Sequence, residues 1–240
     1  MFGVPKSINI LNKINVFVKS DKKHNKKYKV VVTPPYTLLE SYSRFFKNKK
    51  ISIGGQNCYH KDNFGSNTGA VSSYMIKNLG TKYVIIGHSD NRAEGDTNSM
   101  LKDKIIFALR NKLKIIFCIG ENKNQKQKKL TSKVLKQQIS KVLEKRFDNN
   151  NIIIAYEPIW SIGTGKIPKS SDLSKTIRFI KKTSYDVFRT KKSIKVLYGG
   201  SVDSSNIKQF RSLTEIDGFL IGGASKSSKN FIDIIKNYYR

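Results

Sequence analysis

The stretch IIIAYEPIWSIGTGK, residues 152–166, ends an apolar run in a carboxylate, Glu157, and follows it at once with Pro158, Trp160, Gly163 and Gly165. A carboxylate leaving an apolar strand is partly desolvated, which raises its pKa and makes it a better proton acceptor near neutrality. Glu157 therefore suits a general base, although its position alone would also fit a salt-bridged carboxylate. A second group of the right kind is His88, which follows the apolar run YVIIG and precedes SDNR. It ends a strand and begins a helix, whose free amide groups favour the neutral ring over the cation. Alone, such a histidine is more often a satisfied structural residue. Together with Glu157 it makes a carboxylate and a neutral imidazole at neighbouring strand ends. That pair can move a proton on a carbon next to a carbonyl while polarising the carbonyl.

Around these two residues lie segments suited to holding a substrate. Residues 158–166 have a rigid entry (Pro158, Trp160) and a flexible exit (Gly163, Gly165), the pattern of a lid that swings between two hinges, though an ordinary strand-to-helix loop is an equal reading. The glycine pairs in YGGSV (Gly199, Gly200) and IGGAS (Gly222, Gly223) let backbone amides approach an anion closely. Gln56 and Glu121 also fall at the carboxyl ends of apolar runs, the face on which parallel α/β folds bind ligands.

The elements that must position these groups alternate regularly. Apolar strand candidates are 29–35, 51–57, 83–88, 114–120, 152–158, 194–200 and 218–224. Between them run amphipathic stretches such as NSMLKDKIIFALRNKL, SKVLKQQISKVLEKRF and SSDLSKTIRFIKKTSYDVF, with apolar residues recurring at three and four. Continuous apolar strands alternating with helices imply parallel pairing with both faces covered. The expectation is an α/β fold of seven strands and eight helices in one domain, 1–240, since the first amphipathic stretch, 4–18, has no strand before it. No nucleotide fingerprint competes: GTGKIP lacks the last glycine of G-x-G-x-x-G, and Trp160 stands where a Walker A motif needs its first glycine.

Composition narrows the class further. The 240 residues are 38% hydrophobic, and no apolar run approaches the ~18 consecutive positions of a membrane span. The first twenty residues are interrupted by Lys6, Asn9, Asn12 and Lys13 and so lack the apolar centre of a secretory signal; a cytoplasmic protein without membrane association is expected. Two cysteines, Cys58 and Cys118, read as free thiols. With three histidines they share no ligand spacing, so no metal is expected. The formal charge of +29 is spread through every segment rather than gathered in one aromatic-interleaved stripe. AT-rich coding sequence accounts for such a lysine excess without a specific nucleic-acid partner. It leaves room for weak polyanion binding or for a positive field that draws in a small anionic substrate.

The motifs IIGHSDNR, FCIGE, AYEPIWSIGTGK, YGGSV and IGGAS, in that order, resemble those of the triosephosphate isomerases over almost the whole chain. This family is itself the usual example of a glutamate base, a neutral histidine and a closing loop. The resemblance implies a TIM (β/α)8 barrel, here lacking its first strand, and a cofactor-free interconversion of dihydroxyacetone phosphate and glyceraldehyde 3-phosphate. It implies Glu157 as the base that shuttles the proton, His88 as the electrophile, and the amides of Gly163, Ser201, Gly222 and Gly223 as the phosphate site. It also implies a homodimer, with residues 58–71 reaching into the partner.

The chain departs from the family at three places. The family opens with a strand ending in Asn-x-Lys, whose lysine contacts substrate; here MFG stands where Met-Asn-Gly would be. A breach beside the first amphipathic stretch is expected, and a start codon assigned too far downstream would account for both losses. An alternative is a degenerate homologue that binds phosphorylated ligands without efficient turnover, because that lysine is absent. Asp90 replaces a glutamate beside the histidine. Ala70 and Asn91 replace a glutamate and an arginine that would form a pair across the interface.

Overall fold

The computed structural model describes residues 3–61, 64–190 and 192–240. Met1 and Phe2 of the opening MFG, and Asp62 and Asn63 of the segment expected to reach a partner, lie outside the described residues. The chain enters through a 3₁₀ turn, Pro5–Ser7, into α1 (Ile8–Ser20), whose Leu11, Ile14 and Val18 form the buried stripe that spacings of three and four create. It continues through β1 (Val30–Val32), α2 (Tyr36–Phe45), β2 (Ile51–Gly55), α3 (Ser73–Asn78) and β3 (Tyr83–Ile86). Next come α4 (Ser89–Ala93), α5 (Asn98–Arg110), β4 (Lys114–Ile119), α6 (Lys123–Gln127), α7 (Thr131–Val142) and β5 (Ile152–Tyr156). The last elements are α8 (Ser170–Phe188), β6 (Lys195–Tyr198), β7 (Gly218–Phe219) and α9 (Ser228–Tyr239).

All seven strands are parallel and pair in sequence order, β1 through β7. Because side chains alternate across a strand, the strands' apolar runs supply two faces. Ile115, Phe117 and Ile119 of β4, with Ile154 and Tyr156 of β5, join the large cluster under the helices. Ile116 and Cys118 of β4, with Tyr83, Ile85 and Ala155, form a second, smaller cluster. Val31 of β1 and Leu220 just beyond β7 both pack against that smaller cluster, although they come from opposite ends of the strand order. A flat sheet would hold them six strand spacings apart, so the sheet curls around this cluster as its interior. Among the described residues β1 pairs only with β2 and β7 only with β6, which leaves the expected opening between first and last strands. Next to it α1 packs on α9, and Asn15 of α1 accepts a hydrogen bond from the Lys50 amide at 3.2 Å.

The helix count differs from expectation for local reasons. Among the described residues there are nine α-helical segments, because two connections are split and the connection between β6 and β7 carries only a 3₁₀ turn, Ile207–Phe210. The first split is marked by a side chain that restarts the helix, and the second is not. Thr97 accepts from the Met100 amide before α5, whereas α7 restarts after Leu130 without a side-chain cap, the Asn122–Gln125 capping box lying at the start of α6. The strands are shorter than the apolar runs suggested at their carboxyl ends, since residues such as His88, Pro158 and Gly200 already belong to the connecting loops. No helix among the described residues is long and apolar enough to cross a membrane.

Candidate active site at the carboxyl rim

Glu157 is the first residue beyond β5. Its amide prolongs the ladder to the Ile119 carbonyl at 2.8 Å, which carries the side chain over the top of the sheet interior. There it is 4% exposed. Burial holds its carboxyl above the ordinary glutamate range, an effect that the nearby His88 and a hydrogen bond from Cys118 partly offset. Two glycines make its position possible. A Cβ on Gly120 would lie 1.8 Å from the Glu157 carbonyl oxygen, and one on Gly199 would lie 2.8 Å from Glu157 Cγ. In both cases the missing side chain is the space the glutamate occupies.

His88 Nε2 lies 3.4 Å from Glu157 Oε1. The histidine caps α4, and its Nδ1 accepts the Asp90 amide proton at 3.2 Å. A nitrogen that accepts must carry a lone pair, so the ring proton resides on Nε2 and faces the carboxylate. The exposed Asp90 carboxylate stands 3.4 Å from the same Nδ1. Beneath the histidine, Arg92 ties two strand ends together. Its Nε donates to the Gly87 carbonyl at 2.8 Å and its Nη2 to the Cys118 carbonyl at 3.0 Å. Gly87 has φ +78°, a left-handed conformation in which a side chain would be strained, and that turn aims His88 inward.

The segment after Glu157 is hydrogen-bonded within itself. The Ser161 amide donates to Pro158 at 2.7 Å, and the Thr164 hydroxyl reaches the carbonyls of Trp160 and Ser161. It is also tethered. Trp160 Nε1 donates to Glu121 Oε1 at 2.8 Å, the Ile159 amide donates to the Glu121 carbonyl at 3.1 Å, and the Tyr156 hydroxyl donates to the same fully buried carboxylate. Gly163 and Gly165 at the exposed tip have φ +68° and +73°. The segment is thus a self-bonded turn anchored to Glu121 through Trp160, with its two glycines at the exposed end.

The polar strand ends divide into two groups. Glu157 and His88 come together. Gln56 and Glu121 serve the frame, Gln56 by donating to the Thr33 carbonyl at 3.0 Å and Glu121 by anchoring the tryptophan. The two glycine pairs also part company. The Gly199 amide is taken by the Tyr156 carbonyl at 2.8 Å, and Gly200 makes room for the Tyr198 hydroxyl, so the first pair is used inside the protein. At Gly222 and Gly223 an added Cβ would meet nothing within 4 Å, and these residues open onto free space at the β7 end of the rim. Gly163 is similarly open, and the Ser201 amide is engaged with Ser161 Oγ at 3.3 Å. Sequence reasoning missed Arg92, Cys118, Ser161 and Tyr198. Only Arg92 carried a signal, its place four residues after His88, one turn along the same helix. Among the described residues no three histidine, cysteine or acidic side chains cluster in a way that could hold a metal ion.

Comparison with known proteins gives a consistent picture. The family model described as "Triosephosphate isomerase" matches residues 5–238. The triosephosphate isomerase of Dictyoglomus turgidum is 35% identical over 229 residues, covering 92% of this chain and 92% of that protein. That of Dictyoglomus thermophilum is 38% identical, covering 93% and 91%. The crystal structure of triosephosphate isomerase from Bartonella henselae superposes with a TM-score of 0.89 at 31% identity, covering all of this chain and 96% of that one.

Proposed function

Because the chain belongs to the triosephosphate isomerase family, we propose that Glu157 and His88 are the acid–base pair with which this enzyme interconverts dihydroxyacetone phosphate and glyceraldehyde 3-phosphate. The observation that carries the assignment is the buried Glu157 carboxylate facing His88 Nε2 at 3.4 Å, while Nδ1 accepts the Asp90 amide. A ketose phosphate placed between them presents its hydroxymethyl carbon to Glu157 and its carbonyl oxygen to His88. Glu157 takes one proton from that carbon. The electron pair moves onto the carbonyl oxygen, where the Nε2–H hydrogen bond stabilises the enediolate. A proton is exchanged between the two oxygens through the imidazole, and Glu157 returns its proton to the neighbouring carbon to give the aldose. Atoms balance without a cofactor. The amides of Gly163, Ser201, Gly222 and Gly223 hold the phosphate, and movement of residues 158–166 over it excludes water that would protonate or drain the enediolate.

Burial supports the role of Glu157, since a carboxylate kept from water abstracts a weakly acidic proton better than a solvated one. A homodimer through residues 58–71 is part of the same reading; Phe64 there is 79% exposed and stacks edgewise on Tyr74, an apolar tip available for burial. The same reading places the enzyme in the cytoplasm as one domain. The decisive test is an aldose-to-ketose assay of the wild type and Glu157→Gln. The variant is expected to lose about 10²- to 10⁴-fold in kcat, and a loss of less than tenfold removes Glu157 from the role. Background turnover by the wild type with retained binding of a phosphorylated triose would favour the binding-only homologue.

A further inference from the structure

We propose that Ser161 is a positioning residue: its hydroxyl holds the lid to the β6 loop by occupying the Ser201 amide, so that an anion taking that amide releases the lid. The inference rests on the reading of the Ser201 amide as part of the phosphate site. Ser161 is fully buried, and every hydrogen-bonding capacity of its hydroxyl is used. Its single proton goes to the Lys166 carbonyl at 2.5 Å. The oxygen's two lone pairs therefore remain to accept, one from the Tyr198 hydroxyl at 3.1 Å and one from the Ser201 amide at 3.3 Å.

These three bonds differ in what they join. Ser161 and Lys166 both belong to the mobile segment, so their bond staples its two ends and moves with it. Tyr198 and Ser201 belong to β6 and the loop after it, so those two bonds tie the segment to the frame. The loop is built around this contact. A Cβ on Gly200 would fall 2.2 Å from the Tyr198 hydroxyl and 2.6 Å from Ser161 Oγ, so only glycine there lets the three groups meet. The Ser201 bond is long and directed to a neutral acceptor. A phosphate oxygen offers the same amide a charged acceptor, and charge-assisted bonds are roughly twice as strong. The anion thus displaces the serine from the amide. Once that arm is gone, Ser161 is held to the frame by Tyr198 alone, and the segment is freer to close over the ligand. Binding at one strand end is in this way coupled to movement at its neighbour, through a single hydroxyl.

The consequence has an unusual sign. Removing the hydroxyl weakens the resting arrangement and leaves the Ser201 amide free, so anions bind more tightly, whereas a merely structural defect at a buried position would loosen the site. Trp160 precedes Ser161 and is the chain's single tryptophan, which makes its fluorescence a reporter of the segment. Wild type and Ser161→Ala are titrated with inorganic phosphate and with glycerol 3-phosphate, a three-carbon phosphate ester with no carbonyl to react. In Ser161→Ala both half-saturation points fall by the same factor, about three- to tenfold, the scale of one net hydrogen bond, and KM falls in parallel. Ser161→Cys, whose thiol is a weaker partner, shifts in the same direction by less and serves if the alanine variant does not fold. Unchanged or raised half-saturation in both variants, with a responsive wild type, overturns the latch and leaves the phosphate site standing. A wild type that binds neither probe overturns the phosphate assignment and the latch with it.

Discussion

Placing one methyl group at Gly199 tests whether the position of the Glu157 side chain, rather than its mere presence, sets the rate. Gly199 sits beyond β6, and a Cβ there would approach Glu157 Cγ at 2.8 Å and Oε1 at 3.4 Å. Carbon atoms in contact prefer about 3.5 Å or more, so the glutamate must withdraw by about 0.7 Å. The backbone at Gly199 is not in the left-handed region, so alanine adds no conformational strain of its own. The displacement is directed at the contact that holds Glu157 Oε1 3.4 Å from His88 Nε2. A misplacement of about 1 Å at a reacting group can cost about a hundredfold, which sets the expectation for Gly199→Ala at roughly ten- to a hundredfold in kcat with little change in KM. Overpacking also lowers stability, by about 1–3 kcal/mol, so urea unfolding must show that the variant is folded under assay conditions. Gly222→Ala provides the contrast, because its Cβ meets only open space; stability should be unchanged, and any effect should fall on KM. The reasoning is refuted by a folded Gly199→Ala enzyme with kcat within threefold of wild type.

Burial raises the Glu157 pKa, so the native state binds its proton more tightly than the unfolded chain does. Stability is therefore lost as pH rises from the unfolded pKa through the folded one. Glu157→Gln should melt higher than wild type at neutral pH, with the advantage shrinking on acidification below the folded pKa; a lower melting point at neutral pH contradicts this. Removing the fully buried carboxylate by Glu121→Ala strands the Trp160 and Tyr156 donors and should cost about 1–3 kcal/mol for each one left unsatisfied, measured by urea unfolding, where a change under 0.5 kcal/mol would deny Glu121 its anchoring role. Burial pushes the Cys58 thiol up to about 12 and the Cys118 thiol well above the usual range. An aromatic disulfide reagent should consequently find no fast-reacting thiol in the native protein and two after denaturation; rapid native labelling of either would contradict the packing described here.

Much of this protein was determined by local pattern. Apolar runs bounded by glycine, proline and polar residues located all seven strands, and the 170–188 amphipathic stretch coincides with α8. Placing Glu157 and His88 at strand ends needed only the places where those runs stop, and parallel pairing then put both on one rim. The split before α5 was also written locally, in Thr97, whereas the one before α7 carries no side-chain cap at Leu130. The work of the two glycine pairs was another matter, because GG reads the same whether it faces an anion or a buried side chain. Gly199 is glycine on account of Glu157, forty-two positions earlier, and Gly200 on account of Tyr198 and Ser161. Nothing beside Ser161 in the chain reveals that its hydroxyl meets Ser201. Periodicity reports which face of an element is apolar, since burial acts on each residue separately. What a missing Cβ or a single hydroxyl does depends on the few ångströms between side chains from different strands, and only the curl of the sheet brings those together.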